Sequence, residues 1–193
     1  LTVDGDIAMT AAGGDISMTT ATADSPGAAA DLSGAVVSSV SKVNGEIITI
    51  LQVDLIGLRF TGTAKQIIGE DGESNADLTK LTHEKNGYIY KVEMACVETP
   101  TNGGTPEVDI DLVTNTSRLN EGVQFDSTGA GIQVINSDGN FARGRFTDSL
   151  ATGTLSGGLD DNYVYLAGGA GAGGDADYTA GKFIIKFYGA VVA

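Results

Sequence analysis

Tyr178-Thr179-Ala180-Gly181-Lys182-Phe183-Ile184-Ile185-Lys186-Phe187-Tyr188-Gly189 decides the fold of this chain. Its aromatic and β-branched residues suit a pleated, half-buried surface, and glycines punctuate the chain on either side. At period two, Phe183, Ile185 and Phe187 take one face; Lys182, Ile184, Lys186 and Tyr188 take the other. The first face belongs in a core. The second is mostly wet, with long amphipathic stems lying across it. A closing strand of this kind needs partner strands and a second layer.

The preceding chain offers both. Ala35 to Val43 is a β-branched run that ends at Asn44-Gly45, and Glu46 to Ile56 is long enough for a central strand. Asn-Gly between two such runs is a strong short-range hairpin signal. Gly57 predicts a bulge before Leu58-Arg59-Phe60. An acidic loop follows at residues 69–75. Residues 76–85 fit either a turn or so of helix, with Leu78 and Leu81 three apart, or an edge strand. Asn86-Gly87 turns the chain into Tyr88 to Glu98. After the Pro and Gly loop Thr99 to Pro106, Glu107-Val108-Asp109-Ile110-Asp111-Leu112-Val113 alternates strictly, which predicts one wet carboxylate face and one apolar face. Shorter strands are expected at Val123 to Phe125, Ile132 to Ile135, Phe141 to Phe146 and Tyr163 to Leu166, with a flexible glycine-rich loop at Gly168 to Gly174. Short, evenly spaced strands with turn signals between them predict an all-β antiparallel sandwich or barrel. No long amphipathic helix pattern interrupts them, which argues against a parallel α/β sheet.

Residues 1–33 have a different texture. They are rich in Ala, Gly, Ser, Thr and Asp, contain no aromatic residue, and precede the first basic residue, Lys42. Gly5-Asp6-Ile7-Ala8-Met9-Thr10 returns nine residues later as Gly14-Asp15-Ile16-Ser17-Met18-Thr19. Each copy alternates like a short strand. A small hairpin or an extended arm that adds to a neighbour's sheet would both fit. The arm is preferred, because so little apolar surface does not offset the ordering entropy alone. Ser25-Pro26-Gly27 then reads as a hinge, and the division is an arm at 1–33 and a β-sandwich body at 34–193. The opening Leu1-Thr2-Val3-Asp4 lacks the pattern of a secretory signal and an initiator Met, which leaves room for an upstream piece.

Charge and composition narrow the function classes. Against 25 Asp and Glu stand 11 Lys and Arg, a formal net charge of −14. Such a chain repels nucleic-acid phosphates and anionic membrane surfaces, so neither partner is expected. No apolar run is long enough to span a bilayer as a helix. The single Cys96 allows no intrachain disulfide, and its apolar neighbours predict a buried structural thiol.

Candidate chemistry is sparse. His83, the only histidine, sits in Leu81-Thr82-His83-Glu84-Lys85 without a nucleophile elbow, so a surface or capping role is expected over a hydrolase built around it. Residues 70–73, 136–140 and 158–162 offer oxygen ligands for calcium, yet none matches the twelve-residue calcium loop, and Asp, Asn and Gly dominate ordinary turns. The glycine run 168–174 lacks the following Lys-Ser/Thr of a phosphate loop. Arg143 and Arg145, two apart on an expected strand, would share a face. They could meet a partner's carboxylates or form a solvated basic spot. Asp109 and Asp111 could line a sugar cleft, but the chain has no Trp platform. No catalytic, cofactor-binding or metal-ligating residue is assigned. The expectation is a protein that is not an enzyme and needs no cofactor.

Asn86-Gly87-Tyr88-Ile89-Tyr90-Lys91-Val92-Glu93, Val108 to Val113, and Thr179 to Gly189 together resemble virion structural proteins of tailed bacteriophages, especially marine and cyanobacterial ones. Those proteins share a turn-Tyr strand, an acidic alternating strand after a Pro and Gly loop, and a closing Tyr-Thr-Ala-Gly-Lys-Phe strand. The likeness is one of pattern and runs from about Gly87 to the end of the chain. The glycine-rich loop at 168–174 is longer than the pattern, and residues 1–33 lie outside it. The resemblance implies a capsid cement or decoration protein of jelly-roll type, a homo-oligomer (a trimer) on the virion's capsid surface. Its partner would be the major capsid protein lattice, bound through surfaces. The alternative function is a receptor- or glycan-binding β-sandwich module of a tail spike, a fibre or a bacterial surface protein.

Overall fold

The computed structural model describes residues 8–11, 14–17, 24–30, 35–102, 107–137, 139, 141–149, 159–169 and 173–191. In chain order the elements are β1 (Ala8–Ala11), β2 (Gly14–Ser17), a 3-10 turn (Ala28–Ala30), β3 (Val36–Val43), β4 (Glu46–Asp54), β5 (Arg59–Phe60), β6 (Thr79–Leu81), α1 (His83–Asn86), β7 (Tyr88–Asn102), β8 (Ile110–Asn115), β9 (Ile132–Ile135), β10 (Phe146–Asp148), β11 (Asn162–Gly168) and β12 (Ala176–Ala190). Two antiparallel sheets make the body, an all-β sandwich. The larger runs β10-β7-β12-β4-β3, with β5 added against β12, and the smaller runs β6-β11-β8-β9. The pairs β7–β12 and β8–β11 are nested in sequence and lie in different sheets.

β12 is the strand the larger sheet forms around. Ile185 stands opposite Leu51 of β4 on one side and Met94 of β7 on the other. Phe183, Ile185 and Phe187 are buried, while Lys182 is exposed and Ile184, Lys186 and Tyr188 are half-buried, as period two requires. Across the core these residues meet Ile110 and Leu112 of β8 and Val164 and Leu166 of β11. The hairpin at Asn44-Gly45 forms as expected. Asn44 has φ 50° and Gly45 φ 81°, and two successive positive values give the turn whose twist matches paired strands.

The smaller sheet is buried on both faces. Behind it, Val113, Tyr165 and Ala167 pack under Ala29, Ile67, Ala76, Leu119 and Phe125, all contributed by connecting segments. Every residue of β8 is buried as a result. The expected wet carboxylate face is therefore corrected: Glu107 is 4% exposed and Asp111 2% exposed, because loops from elsewhere in the chain lie over that side.

The connecting segments differ from expectation in several places. Residues 79–81 form the edge strand and 83–86 the helical turn, so each alternative for 76–85 holds over part of it. Gly57 belongs to a turn in which Leu58 donates to the Leu55 carbonyl at 2.8 Å, not to a bulge. β7 runs on through Pro100 to Asn102. Residues 123–125 make only an isolated bridge at Gln124, and residues 141–145 are not a strand.

Residues 24–30, read as part of the arm and its hinge, are built into the body. Gly27 donates to the Asp77 carbonyl at 2.8 Å, Ala29 and Ala30 are buried, and a Cβ on Gly27 would lie 1.9 Å from the Asn75 carbonyl oxygen. The two copies of the repeat pair with each other, Met9 opposite Ile16 and Ala11 opposite Gly14. Residues 8–17 thus include a paired hairpin; residues 1–7, 12–13, 18–23 and 31–33 of the arm lie outside the described residues.

Candidate functional site

The outer face of the larger sheet differs from that of the smaller one. No described segment covers it, although it carries apolar side chains. Cross-strand register places Val37 opposite Gln52, Gln52 opposite Ile184, Ile184 opposite Ala95, and Ala95 opposite Phe146. These five residues form one transverse row on β3, β4, β12, β7 and β10. At the usual strand spacing the row is roughly 19 Å long. Val37 is 59% exposed and Phe146 54%, and Val97 beside the row is 43% exposed. Two shallow depressions flank Ile184. One, of about 260 Å³, is bordered by Val37, Gln52, Val97 and Ile184; the other, of about 170 Å³, by Ala95, Phe146, Ile184 and Lys186. Both are below the roughly 300–1,000 Å³ of ordinary small-molecule sites, and each has room for protruding side chains of a partner.

Charges border this row and largely cancel. Lys182 Nζ lies 3.2 Å from Asp54 and 3.9 Å from Glu98. On the other side, Lys91 Nζ is 2.5 Å from Glu93, which also accepts the Tyr188 hydroxyl at 2.7 Å. Partial burial pushes the Glu93 carboxyl up, but the hydrogen bonds from Lys91 and Tyr188 outweigh it and hold the group below its ordinary value. Burial and the Glu93 hydrogen bond push the Tyr188 phenol up to about 12. The more exposed Lys182 pairs contribute little to stability, on the order of 0–1 kcal/mol each. The effect of these pairs is to leave a nearly neutral strip, apolar except at the exposed Gln52, on a chain of formal charge −14. An uncovered apolar patch with a polar rim is the usual mark of a surface that another macromolecule covers.

The residues singled out from sequence fall elsewhere. Cys96 is buried on the inner face of β7, and desolvation pushes its thiol up to about 11, away from nucleophilic use at neutral pH. His83 opens α1. Its ring stacks on Tyr88 with centroids 3.7 Å apart, and its Nδ1 lies 3.2 Å from Asp160. Thr82, not His83, is the N-cap. Among the described residues no group of three or more His, Cys, Asp and Glu is arranged to hold a metal ion. Asp71 pairs with Arg59, and Asp161 with Lys80; residues 138 and 140 lie outside the described residues.

Arg143 and Arg145 do not share a strand face. Residues 143 and 144 turn, the Arg143 N–H donates to Thr99 Oγ1 at 2.9 Å, and the Arg145 guanidinium donates to the Ser137 carbonyl and lies over the Phe141 ring at 5.6 Å. Among the described residues Asp109 and Asp111 line no sugar cleft. Asp109 accepts the Ser137 hydroxyl, and also the Gly139 N–H at 3.1 Å; Asp111 is enclosed beneath Gln133 and Ser137. Gly169 lies hard against Asp109, since a Cβ there would be 2.2 Å from its carboxyl carbon. Part of the 168–174 run is outside the described residues.

The outer row escaped the sequence reading because its members are scattered from Val37 to Ile184. Only the outward position of Ile184 was visible, one residue among lysines. Comparison with protein-family models, with curated proteins and with solved structures finds no match.

Proposed function

We propose that this chain is a non-enzymatic virion structural protein, a capsid cement or decoration protein that seats on the major capsid protein lattice through the outer face of its larger sheet. The observation that carries this is the uncovered row from Val37 to Phe146, apolar at the centre, neutral at the rim and too shallow for a small substrate. The resemblance of the sequence to tailed-phage virion proteins is what points to the major capsid protein as partner, to the capsid surface and to a trimer. Many copies on a shell gain from avidity even where each contact is weak. A density map of intact particles tests the proposal. The expected result is this sandwich on the head exterior with β12 and its neighbours facing the lattice; a map placing it in the tail, or with that face in solvent, would remove the proposal.

A second function has its own observation. Tyr88 and Tyr90 are each 49% exposed, and the Tyr90 and Tyr188 rings lie 6.5 Å apart, which gives aromatic surface for a glycan. Binding to a cell-surface polysaccharide, weakened in Tyr90→Ala, would favour a receptor-binding module. A glycan screen without hits would dismiss it.

A further inference from the structure

The larger sheet ends at β3, and no described strand pairs with the far side of β3. The two-residue turn fixes which way its backbone groups point. Val43 and Glu46 close the hairpin as a hydrogen-bonded pair, so Ser41, Ser39 and Val37 exchange bonds with β4 in turn. The Asp54 N–H bond to the Ala35 carbonyl at 2.8 Å continues the same parity. The N–H and C=O groups of Val36, Ser38, Val40 and Lys42 therefore point away from β4. Sheet edges are ordinarily blunted by proline, bulges, short length or several charges. β3 has eight residues, no proline, an unbroken register with β4, and Lys42 as its only charge.

The same chain carries a strand pair without a sheet. Among the described residues β1 and β2 pair only with each other, and an isolated two-stranded hairpin is marginal in water. β2 lies alongside β3 within its own chain, but no ladder joins them. The arm is tied to the flank of the body at Asp24, whose carbonyl accepts Thr79 Oγ1 at 3.2 Å and whose carboxylate pairs with Lys85. Charge complements the match, since residues 1–23 carry Asp4, Asp6 and Asp15 with no Lys or Arg, against Lys42 on the edge.

We propose that the β1–β2 hairpin of one copy adds to the β3 edge of a second copy, extending the larger sheet across a chain–chain junction. This is strand addition, with main-chain hydrogen bonds as the principal contact. It requires no capsid, so it is tested apart from capsid binding, and the trimer proposed above would be one closed form of this head-to-tail addition.

Light scattering of the full chain, coupled to gel filtration, tests it with two variants. Ser38→Pro removes an outward N–H of the edge while leaving the ladder to β4 intact, and Ile16→Pro breaks the hairpin. Wild type should form dimers or larger assemblies, each variant should be monomeric with an unchanged melting temperature, and an equimolar mixture should re-form a dimer. The mixture succeeds because one variant keeps its hairpin and the other its edge. Wild type that stays monomeric at every concentration overturns the proposal. So does a variant that assembles like wild type, or a mixture that stays monomeric while wild type does not.

Discussion

Asp111 Oδ1 accepts the backbone N–H of Ser137 at 2.9 Å, and both residues are buried. Gln133 Nε2 donates to the other carboxylate oxygen at 2.5 Å, and the Ser137 hydroxyl turns to Asp109. One serine thus holds two carboxylates from the same run to the loop after β9. Burial, with Asp109 and Glu107 adding repulsion, pushes the Asp111 carboxyl up to about 6 despite these donors. Glu107 is pushed up by burial in the same way.

A raised carboxyl favours the protonated form of the fold. The contribution of Asp111 is fully present below its unfolded value near 4 and is lost as pH rises through about 6. Asp111→Asn keeps an acceptor for Ser137, and a flip of the Gln133 amide restores its partner. The variant should be more stable than wild type at pH 7.5, by roughly 2–3 kcal/mol at most, with the difference shrinking to near zero by pH 4. Melting curves across this range check it. A variant less stable than wild type at pH 7.5 would show that the charged form is the one the fold favours.

Gly27→Ala tests whether residues 24–30 belong to the body. The added Cβ would meet the Asn75 carbonyl oxygen at 1.9 Å and Asp77 Oδ1 at 2.6 Å. Overpacking against backbone should cost about 2–3 kcal/mol in denaturant unfolding. A free hinge at Ser25-Pro26-Gly27 would tolerate the change without loss.

The Cys96 thiol should resist a water-soluble disulfide reagent in the native protein at pH 8 and react fully in denaturant. It is 1% exposed and desolvation keeps it protonated at that pH. Rapid native labelling would mean that β7 opens readily.

The parts of the fold legible in the sequence were those set by neighbours along the chain. Period two in Lys182 to Tyr188 assigned both faces of β12, and Asn44-Gly45 fixed the register of β3 on β4. Alternation at Glu107 to Val113 was just as clear, yet its polar side proved buried. A strand's period tells which residues share a face; it does not tell what covers that face. Here the cover comes from Ala29, Ile67, Leu119 and Phe125, remote in sequence. The outer row was hidden for the related reason that Val37, Ala95, Phe146 and Ile184 are joined only by register across strands. Arg143 and Arg145 were misplaced because a turn at 143–144 reads like a strand when only spacing is considered.

Binding to heads that lack this protein tests the central claim most directly. Val37→Asp and Phe146→Asp alter side chains that are 59% and 54% exposed, so each folded variant should melt within about 0.5 kcal/mol of wild type. In co-sedimentation, wild type should load onto the heads and the double variant should stay in the supernatant. Equal loading of wild type and the folded double variant would contradict the assignment of the larger sheet's outer face as the binding surface.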